Sequence, residues 1–295
     1  GRIADFLRQR LQNYEPRVAV LPARKRDAPF GTESPEVVAP LLESNVIFLG
    51  PGSPTYAVRQ LHDSLAWHAL LARHRTGAAV APTSAATIAA SRYALPVYEI
   101  YKVGEDLHWR AGLDFLGSYG LPLVFIPHWN NNDGGSELDT SRCFMGQERF
   151  ERLLELLPAP ATIVGIDEHS ALALDLAAGV CRVLGRGGVT VLRAGRSQTF
   201  AHGKGFALGE LGPFRPLADA AAAIPPQVWQ QATASLAESA ATDGAGATAE
   251  VLALLAERED ARSRRDWARA DALRDQLTAL GWQIQDTPEG PQLIR

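Results

Sequence analysis

Short apolar runs alternate with amphipathic segments along the first half of the chain. The runs have the length and the uninterrupted apolar character of buried strands, and they occupy residues 17–21, 45–50, 78–82 and 121–127. Segments such as P-E-V-V-A-P-L-L-E and G-Q-E-R-F-E-R-L-L-E-L-L carry apolar residues at helical spacing. This alternation predicts an α/β fold whose mostly parallel sheet is flanked by helices.

The pattern changes after Ala161. Short apolar runs such as A-L-A-L-D-L and V-C-R-V-L-G are separated by glycine-rich turns and predict hairpins, so antiparallel strands should finish the sheet. Residues 211–245 are rich in Ala, Pro, Gly and Ser and have weak periodicity, which indicates a linker. We therefore expect the α/β domain to cover residues 1–210.

A separate small domain is expected over residues 246–295. Two segments, A-E-V-L-A-L-L-A-E-R-E-D-A-R and D-W-A-R-A-D-A-L-R-D-Q-L-T-A-L-G, each carry an apolar stripe at helical spacing. Gly281 stands at the end of the second segment, where glycine commonly terminates a helix. The pattern predicts a small helical hairpin followed by a short extended end.

Composition narrows the functional classes. Of the 295 residues, 46% are hydrophobic and 21% are charged, as in ordinary globular proteins, and the formal net charge of -4 gives no global field that points to nucleic acid or membrane. No apolar run reaches the roughly 18 residues that a membrane span needs, and no signal-peptide pattern is present. Two cysteines without metal-ligand spacing suit a reducing compartment. A cytoplasmic protein without membrane contact is expected.

The first chemical candidate is Ser84 in the stretch A-P-T-S-A-A-T, between a predicted strand and a predicted helix. A strand-to-helix turn can expose a serine oxygen and point the next backbone N–H to where an oxyanion would form. The alternative is structural, because serine is also a favoured helix N-cap. Taken alone, the residue does not decide between these roles.

Two residues downstream favour the chemical role. Glu99 in L-P-V-Y-E-I and His128 in F-I-P-H-W follow Ser84 at the edges of predicted strands. A nucleophilic serine needs a base and an acid that orients the base. Separately, Glu99 could be a surface charge and His128 a structural histidine, so the order of the three residues carries the argument.

On these residues the chain resembles the S51 serine peptidases, the family of aspartyl dipeptidase and cyanophycinase, which has the class I glutamine amidotransferase-like fold. The resemblance covers roughly residues 1–210 and rests on P-T-S-A-A-T, P-V-Y-E and P-H-W. It implies that Ser84 is the nucleophile, Glu99 the orienting acid and His128 the general base. The family's elbow glycines permit close packing and strained dihedrals, and they are replaced here by Pro82 and Ala86, which motivates the alternative of a catalytically inactive module.

The same resemblance identifies a second loop. F-L-G-P-G-S-P-T looks like the family's glycine-rich loop, which implies that Gly52 supplies an oxyanion donor together with the N–H of Ala85. The later segment G-I-D-E is similar to the cyanophycinase-like one, so Asp167 and Glu168 either border the pocket or belong to an exposed hairpin.

A polar loop, W-N-N-N-D-G-G-S-E-L-D-T-S-R, follows His128 at the carboxyl end of a strand, where open α/β sheets bind ligands. Asn130, Asn132 and Arg142 are therefore candidate substrate contacts. A calcium loop is the alternative, but an oxygen ligand is missing at an early odd position whichever glycine is set at position 6. We expect no metal and no cofactor.

Two specificity questions also arise from the sequence. The arginine that would pair with an acidic substrate in the dipeptidases falls on Gly146 or Gln147, so aspartyl specificity is not predicted. Amidotransferases of this fold carry cysteine at the elbow, but here the elbow has Ser84. Cys143 stands at no strand-to-helix turn, which favours a small apolar role.

The last 46 residues or so resemble the C-terminal end of cysteinyl-tRNA synthetases, in D-W-A-R-A-D-A-L-R-D-Q-L and G-W-Q-I-Q-D-T-P-E-G. The synthetase signatures H-I-G-H and K-M-S-K-S are absent from the chain, so aminoacylation is not expected. The tail arginines either contact RNA phosphates or form a solvated helix face beside acidic neighbours. They are Arg258, Arg262, Arg264, Arg265 and Arg269.

Two functional hypotheses result. The first is a serine hydrolase that cleaves a peptide or isopeptide bond in a small peptide substrate through an acyl-enzyme. The second is a catalytically inactive module that uses the pocket and the tail to bind a small ligand or tRNA. A small peptide, tRNA through weak contacts of the tail, and a second copy of the chain as a homodimer are the candidate partners.

Overall fold

A computed structural model of the chain describes residues 2–244, 249–287 and 290–294. They form two compact units, Gly1–Trp229 and Gln230–Arg295. The α-helices are α1 (Arg2–Arg10), α2 (Pro35–Glu43), α3 (Pro54–Leu61), α4 (Leu65–Arg75), α5 (Ala85–Ala89), α6 (Gly146–Glu155), α7 (Pro226–Gly244), α8 (Ala249–Ser263) and α9 (Trp267–Ala279).

The strands of the first unit are β1 (Val46–Leu49), β2 (Ala79–Pro82), β3 (Tyr93–Ala94), β4 (Arg110–Ala111), β5 (Leu123–Ile126), β6 (Thr162–Ile166), β7 (Ser170–Asp175), β8 (Val180–Gly185), β9 (Val189–Arg193), β10 (Arg196–Phe200) and β11 (Gly205–Ala207). The strands of the second unit are β12 (Gln283–Thr287) and β13 (Gly290–Ile294).

The first unit has an α/β fold with both parallel and antiparallel strands. Strand β1 pairs in parallel with β2, and β5 pairs in parallel with β6. The other edge of β6 pairs antiparallel with β9, which gives a mixed sheet of order β10-β9-β6-β5. Strands β11, β8 and β7 form a further antiparallel sheet. The predicted fold class is confirmed, with the parallel pairs divided between two sheets.

The core lies on both faces of β5. Because successive side chains of a strand point to opposite faces, Val124 and Ile126 join one apolar cluster while Leu123 and Phe125 join another. Burying one such side chain contributes about 1.5–3 kcal/mol. Strand β5 is therefore a fixed element, and the residue that follows its carboxyl end has a defined position.

Helix α5 is tied to β5 as well as to β2. All of its residues are buried, and the segment after it connects to β5 through hydrogen bonds from Arg92 N to Leu123 O (2.8 Å) and from Phe125 N to Ser91 Oγ (2.8 Å). The carboxyl ends of β2 and β5 are consequently held side by side although the two strands belong to different sheets.

Residues 17–21 were predicted as a strand, and this prediction is wrong. The segment has no strand pairing, and Val20 is exposed. Pro16 and Pro22 flank it, and proline lacks the N–H that a ladder requires and fixes φ. The carbonyl oxygen of Val18 instead accepts a hydrogen bond from Arg8 Nη2 at 3.0 Å, and no residue of the run is buried.

The predicted linker over residues 211–245 is also corrected in part. Leu211 and Ile224 are buried, and Arg75 Nη1 donates hydrogen bonds to Ala220 O (3.0 Å) and Ala222 O (2.5 Å). Helix α7 then begins at Pro226, because the alanine-rich composition that resembles a linker also favours a helix. The predicted boundary at residues 245 and 246 lies outside the described residues.

In the second unit, α8 and α9 form the predicted helical hairpin. Gly281 has a φ of 82° and ends α9 with hydrogen bonds from its N–H to Thr278 O (2.9 Å) and from Trp282 N to Leu277 O (2.8 Å), the pattern of a Schellman motif. Trp282 and Leu277 are buried together with Val251. The predicted extended end forms an antiparallel hairpin of β12 and β13.

Within residues 2–244, 249–287 and 290–294, no helix combines the length and apolar character that a bilayer crossing requires.

Candidate active site

Ser84 occupies a sharp turn between β2 and α5. Its φ of 50° and ψ of -112° are rare for a residue with a Cβ atom, and its hydroxyl does not cap the helix. Backbone strain of this kind costs about 1–3 kcal/mol and is found where the surrounding structure enforces it. The geometry differs from that of an N-cap serine and matches the strand-to-helix turn of a nucleophile elbow, with Ser84 half-buried.

The elbow forms with Pro82 and Ala86 in place of glycines. Pro82 ends β2, pairs in register with Leu49 of β1, and its carbonyl oxygen accepts a hydrogen bond from Thr87 Oγ1 at 2.9 Å. Ala86 is buried and lines a small apolar cavity of about 20 Å³, so its methyl group has room. Neither residue prevents the turn.

The imidazole of His128 lies within hydrogen-bond distance of the Ser84 hydroxyl. It follows β5 with a φ of 54°, and its Nε2 lies 3.0 Å from Ser84 Oγ. Its Nδ1 lies 2.9 Å from Glu168 Oε1. The side chains of His128 and Glu168 are each about two thirds buried, so the pair is packed on its inner face and reaches solvent on the other.

The hydrogen-bond partners define the histidine tautomer. An ionised carboxylate can only accept, so Nδ1 carries the proton that binds Glu168, and Nε2 is left to accept the Ser84 proton. A serine that donates to a neutral imidazole, which in turn donates to a carboxylate, is the arrangement by which a hydroxyl is activated for attack.

Glu168 is placed by two asparagines. It lies in the turn between β6 and β7, where its N–H donates to Asn130 Oδ1 at 2.8 Å and its Oε1 accepts from Asn131 Nδ2 at 2.9 Å. The hydrogen bond from Asn131, followed by that from His128, holds the pKa of the Glu168 carboxyl below its ordinary value. The carboxylate therefore stays ionised beside the imidazole.

Glu99 does not contact His128 in the structure. It begins a single π-helical turn, Glu99–Val103, and its Oε1 accepts a hydrogen bond from Thr55 Oγ1 in the first turn of α3. The predicted pairing of Glu99 with His128 is wrong, because Glu99 faces α3 and Glu168 takes the place beside Nδ1.

The predicted oxyanion donors lie at adjacent turns. Gly52 is exposed in the loop after β1, and Ala85 is the first residue of α5. The two turns are joined where Thr83 N donates to Leu49 O at 3.0 Å. Within the described residues neither of the two N–H groups has a hydrogen-bond acceptor, and their role in the site stays a prediction.

The predicted substrate contacts have different surroundings. Asn130 is engaged with the backbone of Glu168, and Asn132 is exposed. The guanidinium of Arg142 lies over the Trp129 ring, 3.9 Å from its centroid, and its Nη1 donates to Trp129 O at 2.9 Å. Burial lowers the pKa of Arg142 from its ordinary value. These contacts engage Asn130 and Arg142 with other groups of the protein, and their contact with substrate stays a prediction.

A left-handed turn follows the polar loop. Arg142, Cys143 and Phe144 have φ values of 55°, 59° and 67°. Each such residue costs about 1–2 kcal/mol. Hydrogen bonds from Arg142 N to Trp129 O (3.0 Å) and from Cys143 N to His128 O (3.1 Å) fasten this turn to the backbone of the histidine.

Cys143 lies within that turn and is buried. Burial, with the nearby charge of Glu168, raises the pKa of its thiol to about 12. A thiol in this state is protonated and is a poor nucleophile. The site therefore centres on Ser84 and not on a cysteine.

Sequence reasoning missed the pairing of Glu168 with His128 and the contribution of Asn131. Glu168 lies in G-I-D-E, after the carboxyl end of β6, and Asn131 lies in W-N-N-N-D, after the carboxyl end of β5. Adjacent parallel strands bring their carboxyl ends to one edge of the sheet. A sequence prediction that β5 pairs with β6 would have placed Glu168 beside His128.

The tail is similar to part of a known family. Residues 245–295 match the family model described as the cysteinyl-tRNA ligase anticodon binding domain. A cysteine–tRNA ligase 1 of Burkholderia lata is 56% identical over 44 residues, which are 15% of this chain and 9% of that protein. A cysteine–tRNA ligase of Solidesulfovibrio magneticus is 57% identical over 44 residues, with the same shares of 15% and 9%. The matched part is thus 9% of the length of these two curated relatives.

A solved structure shares the fold. The crystal structure of a peptidase from an acI-B1 Actinobacterium aligns with a TM-score of 0.54 at 19% identity, over 70% of this chain and 77% of that chain. At this identity the similarity establishes the α/β fold and leaves the chemistry to the site.

We predict that replacing Asn131 by alanine raises the pKa of the Glu168 carboxyl, because the amide that stabilises the ionised form is lost. A pH titration of glutamate carboxyl carbons by NMR measures it. Since the folded pKa of Glu168 is depressed, the stability it contributes is present above its unfolded pKa and is lost as the pH falls through the folded value. In Asn131→Ala this loss should occur at higher pH.

The matched control is Asn132→Ala, which removes an exposed neighbouring amide. It should leave the Glu168 titration unchanged. If Asn131→Ala is folded and the pKa of the Glu168 carboxyl is unchanged, Asn131 does not stabilise the ionised carboxylate and the prediction is wrong.

Proposed function

We propose that the protein is a serine hydrolase of S51 type that cleaves a peptide or isopeptide bond in a small peptide through an acyl-enzyme. The supporting observation is the continuous hydrogen-bond chain from Ser84 Oγ to His128 Nε2 (3.0 Å) and from His128 Nδ1 to Glu168 Oε1 (2.9 Å). The fold that the chain shares with a solved peptidase agrees with this proposal.

In the first step, Ser84 Oγ attacks the carbonyl carbon of the scissile bond while His128 Nε2 takes its proton. The imidazolium that forms is stabilised by the Glu168 carboxylate. Negative charge on the carbonyl oxygen is met by the N–H groups of Ala85 and Gly52, and donors of this kind contribute about 3–4 kcal/mol each to the transition state.

The tetrahedral intermediate then collapses. The carbon–nitrogen bond breaks, and His128 Nε2 gives its proton to the leaving amine. A water molecule next attacks the acyl-serine, losing a proton to Nε2, and the carbon–oxygen bond to Ser84 breaks as that proton returns to Oγ. Each turnover restores the neutral imidazole and the free hydroxyl.

We predict that a fluorophosphonate probe labels the protein and that Ser84→Ala abolishes the labelling. The probe forms a phosphorus–oxygen bond with Ser84 Oγ and releases fluoride, so it reports the activated hydroxyl directly. Mass spectrometry of the intact protein and of its peptides locates the adduct. Equal labelling of the wild type and Ser84→Ala, or no labelling of folded wild type, would contradict the proposal and favour an inactive binding module.

A matched pair of acid variants controls this experiment. Glu168→Gln should slow labelling by about a thousandfold, because the imidazolium loses its counter-charge and the tautomer is no longer enforced. Glu99→Gln should slow it far less, because Glu99 bonds Thr55 instead of His128. The reverse order would restore Glu99 as the orienting acid.

A second candidate function concerns the tail: we propose that the turn between α8 and α9 makes weak contacts with tRNA. The match to the cysteinyl-tRNA ligase anticodon binding domain supports it. Trp267 begins α9 with 59% of its surface exposed, and the exposed Arg264, Arg265 and Arg269 lie beside it in the chain. An exposed aromatic ring among arginines suits a stacked base and its phosphates.

The arginines do not all contribute. Arg258 is only 1% exposed and pairs with Glu259 at 2.6 Å, so it lies neither on a solvated face nor within reach of a phosphate. Arg264 pairs with Asp260 at 2.7 Å on the surface. Exposed pairs of this kind are weak, so a phosphate can replace the carboxylate.

We predict that Trp267→Ala weakens the binding of an unmodified tRNA transcript at low salt by about tenfold, because base stacking on an aromatic side chain contributes about 1–3 kcal/mol. Fluorescence anisotropy measures it. The control is Leu252→Ala, which removes a similarly exposed apolar side chain (52%) near the other end of α8. Unchanged affinity in Trp267→Ala, or equal losses in both variants, would overturn the tail's role.

A further inference from the structure

An aromatic wall stands beside the catalytic imidazole. The ring of Phe144 lies 6.1 Å from the His128 ring, and the ring of Tyr101 lies 5.4 Å from Phe144 at an interplanar angle of 41°, all distances being between centroids. Phe144 is half-buried against the core cluster that contains Trp129 and Cys143, while Tyr101 is 37% exposed. The wall thus runs from the packed interior at Phe144 to solvent at Tyr101.

The position of Phe144 is enforced by the backbone. It is the last residue of the left-handed turn that begins at Arg142, and its N–H donates to Thr140 O at 2.9 Å. The same turn is fastened to His128 O through Cys143 N. Phe144 and His128 are therefore coupled through the main chain, and the strained turn fixes where this ring lies.

Three cations close to the wall along the chain are engaged with other groups of the protein. Arg142 lies over Trp129 and donates to its carbonyl oxygen, and Arg149 donates to Met145 O (2.6 Å) and Phe144 O (2.9 Å). Lys102 Nζ lies 4.6 Å from the Tyr98 ring centroid. A substrate carboxylate placed against Phe144 would lose water without gaining one of these partners, which is costly.

We propose that Phe144 and Tyr101 form the subsite for an apolar or aromatic side chain of the substrate residue whose amine leaves. This rests on the proposed hydrolase function. His128 gives its proton to the leaving amine, so the residue that carries this amine lies against the imidazole, where Phe144 packs. Aromatic rings bury large apolar area and pair favourably with a further ring at an offset or tilted angle. The substrate class is therefore small peptides with an apolar leaving residue, not an acidic one.

The test measures binding and turnover separately. Dipeptide mixtures are made with the leaving residue fixed as Phe, Leu, Asp or Lys and the other residue varied over the ordinary amino acids. Each mixture competes with the fluorophosphonate probe for Ser84, and release of the fixed amino acid is followed by mass spectrometry. The Phe and Leu mixtures should protect Ser84 at concentrations about tenfold lower than the Asp and Lys mixtures.

Variants identify the subsite. Phe144→Ala should raise the concentration of the Phe mixture needed to protect Ser84 from the probe about tenfold, and Tyr101→Ala should raise it about fivefold. Phe144→Leu should retain most of the protection. Tyr98→Ala is the control: Tyr98 is 38% exposed on the same segment and has its ring against Lys102. In Tyr98→Ala the Phe mixture should protect Ser84 at the same concentration as in the wild type. If Phe144→Ala fails to fold, the more exposed Tyr101 still allows the subsite to be tested through Tyr101→Ala.

The outcomes separate the two proposals. Absence of probe labelling in wild type would refute the hydrolase function itself. Labelling at Ser84 without preferential protection by apolar mixtures, or with protection that is equal in Tyr98→Ala and Tyr101→Ala, would overturn the aromatic subsite and leave the hydrolase function standing.

Discussion

The contact between Ser84 Oγ and His128 Nε2, 3.0 Å long, is the interaction on which the site depends. The two residues follow strands of different sheets, so no single ladder of hydrogen bonds sets their separation. Helix α5 does so instead, because it continues from the elbow and is hydrogen-bonded through Ser91 and Arg92 to β5. All five of its side chains are buried and three of them are alanine, which allows this close approach. The position of the Ser84 hydroxyl beside the imidazole is therefore a consequence of how α5 is held.

Strain is concentrated around this contact. Ser84, His128 and the turn Arg142–Phe144 all have left-handed φ values, and each is unfavourable in isolation. They are held by the apolar clusters on both faces of β5 and by hydrogen bonds to the carbonyl oxygens of His128 and Trp129. The core stabilises conformations that place a hydroxyl, an imidazole and an aromatic ring at one crevice.

The sequence allowed prediction of Ser84 and His128 because both directly follow apolar strands whose carboxyl ends define the ligand edge of an α/β sheet. It did not allow prediction of the carboxylate that contacts His128. Glu99 had suitable order along the chain, but its π-helical turn faces Thr55, whereas Glu168 reaches His128 through the pairing of β5 with β6, which a one-dimensional pattern does not contain. Residues 17–21 differ for another reason, because their apolar character indicated a strand although the segment is exposed or half-buried and pairs with no strand.

The central claim is that His128 Nδ1–H is held by Glu168, so that Nε2 is free to take the Ser84 proton. Proton and nitrogen NMR of histidine-labelled protein tests it most directly. The Nδ1 proton of His128 should give a hydrogen-bonded, slowly exchanging signal that Glu168→Ala abolishes and Glu99→Ala preserves. A signal that survives Glu168→Ala, or a ring protonated on Nε2 instead, would contradict the account.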